Sequence, residues 1–276
     1  GIVLGVYIGT IVLLNIPNVQ QAMSAFVADE LSEVLKTKVV IGRINMGLLN
    51  RIIIDDVLLD DQSGQEMLKV TRLSAKFDIV PFFKGKISIS SVQLFGFNIN
   101  LRKETPDTPP NFKFVLDAFA SKDTVKKENS LDVRINSILI RRGRMSYHVL
   151  SEEETPGKFN AKHIQLQNII ANISLKALSK DSLNLGIKRL SLDEKMSGFS
   201  LKKMSLKLVA NNKQTSIDNF AIELPETSLK MDTIHLVYDS LQAFEHFAEE
   251  VHFSFRTLPS QITLKDILSL IHISEP

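Results

Sequence analysis

The residue types that could do chemistry are present, but their spacing argues against most of the chemistry they suggest. Six histidines stand at 148, 163, 235, 246, 252 and 272. His246 and His252 flank Glu249 and Glu250, a set of imidazoles and carboxylates of the kind that binds a metal ion. The stretch DSLQAFEHFAEEV (239–251), however, carries Leu241, Phe244, Phe247 and Val251 at helical spacing. On a helix a gap of six residues sends the two imidazoles to different sides of the axis, so no metal site is read there. DDVLLDDQSGQE (55–66) gathers Asp60, Asp61, Gln62 and Gly64, loosely like a calcium loop. It lacks the alternating ligands of an EF-hand, and Asp-x-x-Gly is ordinary turn chemistry, which is the preferred reading. Glu152, Glu153 and Glu154 read as solvated loop charge rather than an acid–base pair. IVPFFKGKI (79–87) sets two phenylalanines beside Lys84 and Lys86. That pairing suits a membrane surface, although a buried hairpin connection is preferred. No phosphate-binding glycine loop, Gly-x-Ser-x-Gly elbow or His-Glu-x-x-His pair occurs. With no cysteine, thiol chemistry, disulfides and Cys-zinc sites are excluded. The chain reads as a non-enzyme without a cofactor or metal.

Composition agrees with a folded protein: 276 residues, 44% hydrophobic and 23% charged. A net charge of +2 argues against a nucleic-acid binder.

What recurs is a spacing, apolar-x-apolar-x-x-apolar-x-apolar. It runs through VVIGRINM, IIIDDVLL, LKVTRLSA, ISISSVQL, VRINSILI, IQLQNIIA, LGIKRLSL, FSLKKMSL, SIDNFAIE and LKMDTIHL. Polar pairs mark the centres: Asp55-Asp56, Ser90-Ser91, Asn136-Ser137, Lys188-Arg189, Lys202-Lys203, Asp218-Asn219 and Asp232-Thr233. On a helix, offsets 0, 2, 5 and 7 make no stripe. On a straight strand the two apolar pairs fall on opposite faces. One extra residue, a β-bulge, returns both pairs to one face and bends the strand. The repeat therefore predicts long, bent antiparallel strands with one apolar face. A corner between two short strands, as in a β-solenoid, is the competing explanation.

Four groups from the first half are expected on that face: Ile52, Ile54, Val57 and Leu59; Ile87, Ile89, Val92 and Leu94; Val133 and Ile135; Ile138 and Ile140. The second half adds Leu185, Ile187, Leu190 and Leu192, then Leu201, Met204 and Leu206. Ile217, Phe220 and Ile222 follow, with Met231, Ile234 and Leu236 last. Each of these could be plain β-core or a surface for an apolar ligand.

The remaining elements are few. GIVLGVYIGTIVLLNI (1–16) is an apolar run of about 24 Å as a helix, which a few upstream residues would extend to a transmembrane anchor. Pro17 opens an amphipathic helix over 17–38, with Val19, Ala22, Phe26, Leu31, Val34 and Leu35 on its expected apolar face. Residues 104–111, 121–130 and 151–158 read as loops, and FKFVLDAF as a short apolar piece between the first two. A β-rich domain is expected over 39–270, and the final residues 271–276 read as foreign to the native protein. Helices are too few to cover so many amphipathic strands. A second sheet, curling of the sheet on itself, or a ligand must close the apolar face.

The order of these pieces carries a resemblance. The anchor, NIPNVQQAMSAFVADELSEVLKTKVVIGRI, DDVLLDDQSGQEML, ISISSVQLFGFNINL and the later VHFSFRTLPSQITLKDIL together resemble the N-terminal part of the TamB family. These are AsmA-like proteins of the bacterial envelope, and the version here looks like those of Bacteroides-type bacteria. The resemblance implies a mainly β protein: a transmembrane helix and an amphipathic helix, then an elongated, curved antiparallel β-sheet shaped as a groove. It further implies a single-pass inner-membrane protein with its bulk in the periplasm, carrying phospholipid between inner and outer membranes without catalytic residues. A TamA-type outer-membrane barrel is the implied protein partner. An alternative is a scaffold for assembling outer-membrane or secreted proteins by strand pairing, and a third a polymer-binding β-solenoid.

Overall fold

The computed structural model describes residues 12–47, 50–77, 89–120, 136–179 and 182–266, together with 5, 8 and 9. It is mainly β. Eleven strands follow one another in a single antiparallel sheet in chain order: β1 (Val39–Gly47), β2 (Arg51–Asp60), β3 (Glu66–Phe77), β4 (Ile89–Lys103), β5 (Ser137–Val149), β6 (His163–Ser179), β7 (Ser182–Glu194), β8 (Ser200–Asn211), β9 (Gln214–Glu223), β10 (Ser228–Val237) and β11 (His252–Thr257). Two longer helices accompany them, α1 (Pro17–Leu35) and α2 (Lys113–Ala120). The chain forms two compact units, Gly1–Ile135 with Arg141–Glu154, and Asn136–Ile140 with Thr155–Pro276. Among the described residues no helix is long and apolar enough to cross a membrane. The expected anchor, 1–16, lies largely outside them.

In the first unit, α1 starts at Pro17, whose fixed φ suits a first turn. It ends at Lys36 in the left-handed region (φ 53°), where the Lys36 N–H donates to Ser32 O. Of its expected apolar face, Leu35 is buried and Val19 and Leu31 are half-buried, whereas Ala22, Phe26 and Val34 are exposed. Ser24, Ala28 and Leu35 are buried, with Met23, Val27 and Leu31 beside them, while Phe26 is 65% exposed. Small Ser24 and Ala28 let the helix approach the sheet closely, which turns Phe26 outward.

Register explains the repeat. Across β1, β2, β3 and β4 the apolar positions form four cross-strand rows: Met46, Ile52, Ala75 and Val92; Ile44, Ile54, Leu73 and Leu94; Ile41, Val57, Val70 and Phe97; Val39, Leu59, Leu68 and Ile99. Directly opposite residues share a face and contact one another. Val39, Ile41, Ile44 and Leu59 are buried in one cluster under α1, with Ile54 packed against it. The two apolar pairs of the unit therefore do lie on one face.

The bends arise in two ways. The expected extra residue occurs at Ser90 of β4, left over between Lys76↔Ser91 and Phe77↔Ile89. In the second unit it occurs at Lys188-Arg189 on β7, Lys202-Lys203 on β8, Asn219-Phe220 on β9 and Asp232 on β10. At Asp55-Asp56, by contrast, the ladder stays in register on both sides and Asp56 takes φ 57°. Side-chain alternation holds only while every residue is extended, so one left-handed residue resets it without any insertion. Asn168 (φ 54°) and Asn219 (φ 52°) share that conformation, which short polar side chains tolerate. Asp193 accepts hydrogen bonds from Asn168 Nδ2 at 2.8 Å and Ser200 Oγ at 2.6 Å. Together these bonds hold its carboxyl below the ordinary value.

β4 and β5 are long enough to bend further along, at Gly96 (φ 64°) and Arg142 (φ 55°). A Cβ on Gly96 would lie 2.7 Å from Thr71 Oγ1. Gly96→Ala thus meets both a collision and a left-handed backbone, and is expected to destabilise the first unit by about 2 kcal/mol in chemical denaturation. An unchanged midpoint would mean the bend relaxes.

Candidate functional site

The surface of interest is the apolar face of the second unit, built strand by strand from cross-strand partners. One row runs Leu175, Leu185, Leu208, Ile217, Ile234 and Phe255 over six strands, β6 to β11. A second holds Ile173, Ile187 and Leu206. A third holds Ala171, Leu190, Met204, Ile222 and Leu229. Phe220 faces Met231, and Leu192 faces Leu201. The bulge residues Lys188, Arg189, Lys202 and Asn219 are exposed, and Lys203 half-exposed, so the polar centre of each unit stays with water.

These rows bring together the residues expected on this face, but they are not a sealed core. Among those described, Leu59 and Leu201 are buried, Ile52 is exposed, and the rest are half-buried. That set includes Ile54, Val57, Ile89, Val92, Leu94, Ile138 and Ile140. In the second unit it includes Leu185, Ile187, Leu190, Leu192, Met204 and Leu206. Ile217, Phe220, Ile222, Met231, Ile234 and Leu236 complete it. Ile87, Val133 and Ile135 lie outside the described residues, as does IVPFFKGKI. In the first unit α1 covers the opening strands. In the second, the described helical segments are Leu241–Glu250 and 264–266. The first of these forms a small cluster of Ala243, Val251 and Tyr238, with Leu236 against it.

Openness increases toward β11. All six of its residues are exposed, and Phe253 and Phe255 stack with ring centroids 6.1 Å apart at 56% and 55% exposure. Leu208 and the two β11 phenylalanines belong to this face beyond the residues expected there, and Phe97 belongs to the corresponding face of the first unit. The sequence signal for Leu208 is the continued alternation after Leu206, and for Phe97 a second copy of the spacing on β4, Val92, Leu94, Phe97 and Ile99.

Two buried carboxylates with displaced pKa values, Asp61 and Glu194, hold turns together. Asp61, 2% exposed, accepts at Oδ1 from Ser63 N (2.9 Å), Ser63 Oγ (2.6 Å) and Gln65 N (3.1 Å). Its Oδ2 accepts from Arg102 Nη2 (2.7 Å) and Asn111 Nδ2 (3.2 Å). Burial pushes the Asp61 carboxyl up, but the bonds from Ser63, Asn111 and Gln65 outweigh it and leave the pKa below the ordinary value. The second unit repeats the device. Glu194, 3% exposed, accepts from Gln165 N, Met196 N, Ser197 N and Ser197 Oγ at 2.6–3.2 Å. Burial again raises its pKa and those donors more than reverse the effect. DQSG (61–64) and EKMSG (194–198) are thus anionic turn clamps, each closed by a positive-φ glycine, Gly64 and Gly198. His246 ends a 3-10 turn and His252 opens β11, so they do not share a helix. No family model matches the chain, and no curated protein matches it.

Proposed function

We propose that the half-buried apolar face is a surface for acyl chains, and that the protein is a non-enzymatic carrier of phospholipid. One observation carries this reading: the apolar row from Leu175 to Phe255 continues over six strands without becoming buried. Contiguous apolar surface left partly open is unfavourable in water, at about 25 cal/mol per Å². A lipid tail relieves that cost and needs no hydrogen bonds. The backbone groups are already paired within the sheet, so a ligand meets mainly side-chain carbon.

The resemblance to TamB proteins supports setting this surface in the bacterial envelope. On that reading an elongated, curved groove, anchored in the inner membrane, moves phospholipid toward the outer membrane. A TamA-type barrel is the partner on that reading.

Delipidated protein incubated with fluorescent phosphatidylethanolamine vesicles should retain lipid after separation, saturably and at a fixed stoichiometry. Absence of retained lipid would count against the reading. A second reading, assembly of other proteins by strand addition, is favoured by the wholly exposed β11 with its stacked phenylalanines. It predicts capture of an extended apolar peptide instead of lipid.

A further inference from the structure

The second unit contains a hollow of about 430 Å³, within the size range of small-molecule sites, lined by polar side chains together with Leu185, Ile187, Leu206 and Val209. Its floor is Gly186 of β7, opposite Ser174 on β6 and Lys207 on β8. A Cβ at Gly186 would lie 2.7 Å from Ser174 Oγ, which sits over the glycine and donates to Gly186 O at 3.3 Å. Glycine within a strand is typical where another group approaches the backbone closely. Two bulges line the same hollow, through Lys188 on β7 and Asn219 on β9.

Three ammonium groups, those of Lys176, Lys188 and Lys207, line the hollow, and none forms an ion pair with an acid among the described residues. The one carboxylate in the lining is Asp218, the register partner of Lys207, which accepts a weak 3.4 Å hydrogen bond from Ser216 Oγ. Three cations against one anion leave an excess positive charge. Ser205 and Asn184 add a hydroxyl and an amide donor, while the Ser174 hydroxyl donates to Gly186 O. Three lysines and neutral donors around one hollow suit an acceptor-rich oxyanion, because charge-assisted hydrogen bonds are about twice as strong as neutral ones.

The geometry points to a binding site in this hollow, among Lys176, Lys188 and Lys207, for a phosphate group, carried either by a soluble phosphate ester or by a lipid headgroup. Lys188, Lys207 and Asp218 alternate along their strands with members of the apolar rows, and Leu185, Ile187 and Leu206 of those rows also contribute to the lining; phosphate binding here does not require the acyl-chain reading.

The test uses the full chain and sn-glycerol 3-phosphate in calorimetric titration at constant ionic strength. Saturable binding is expected in the wild type. The double variant Lys188→Gln/Lys207→Gln should weaken it by about tenfold or more, since both positions are exposed and the fold tolerates them, as circular dichroism will check. Lys213→Gln, in the β8–β9 turn outside the hollow, should leave the affinity unchanged. Competition by phosphatidylglycerol vesicles would assign the phosphate to a headgroup, and lack of competition to a soluble ester; either accompanies a real site. No saturable binding, or an equal loss in Lys213→Gln, would overturn the proposal.

Discussion

Asp61→Ala is expected to destabilise the first unit by about 3–5 kcal/mol, the range for removing one partner of a buried ion pair. The carboxylate is almost wholly enclosed and accepts five hydrogen bonds, so its loss strands several donors at once. The Arg102 guanidinium would remain only 21% exposed, without its counter-charge. Asn111 would lose the contact that orients it toward Asn100 O and Arg102 N, loosening the approach to α2. Urea unfolding followed by circular dichroism reads the loss directly. The pH dependence has a definite sign. Because the folded carboxyl titrates below its ordinary value of 3.8, its contribution is complete above that pH and fades as the pH falls through the folded value. Asp61→Asn should remove the Asp61 share of that acid-side decline and leave the shares of Asp193 and Glu194; a variant that keeps the full wild-type acid profile would contradict the assignment.

Ile217→Asp is expected to cut retained phospholipid by at least about tenfold, because a carboxylate in the middle of the six-strand row would have to be desolvated by each bound chain. The same change should cost the lipid-free protein only about 1–2 kcal/mol, because Ile217 is half-buried and the new charge keeps much of its water. Leu59, buried under α1, provides the contrast. Leu59→Asp should unfold the first unit outright, as expected where an apolar residue is core rather than ligand surface. Thermal unfolding and the vesicle retention assay together separate the two outcomes. Large stability losses at both positions would make the second unit's face ordinary core.

Most strands were legible because their register depends on local spacing. The 0-2-5-7 pattern marked ten of the eleven strands, and a central Asn or Asp such as Asp56, Asn168 or Asn219 marked where the chain turns left-handed. ISISSVQL contained the Ser90 bulge, but the pattern was read only as far as Leu94, so the next bend at Gly96 went unseen. HFSFRT alternates too briefly to carry a two-pair unit, and β11 was missed. Properties that depend on distant partners were not legible. Asp61 could be read as a turn residue, whereas its bonds to Arg102 and Asn111 come from 41 and 50 residues away. The buried face of α1 depended on how closely Ser24 and Ala28 approach β1, so hydrophobicity alone misplaced Phe26. How far the apolar face stays open is likewise a property of packing, because the same residues could have met a second sheet.

Site-specific photo-crosslinking tests the central claim most directly. A photoreactive amino acid at Ile187, Ile217 or Ile234, placed one at a time, samples the apolar rows of three strands. Ser216 and His235, register partners on β9 and β10 that alternate with Ile217 and Ile234 and lie outside the hollow, carry the probe on the opposite face as controls. After incubation with phosphatidylethanolamine vesicles and irradiation, mass spectrometry should find lipid adducts at all three isoleucines and none at the controls. Adducts to protein alone at the isoleucines, or equal lipid labelling on both faces, would contradict the account.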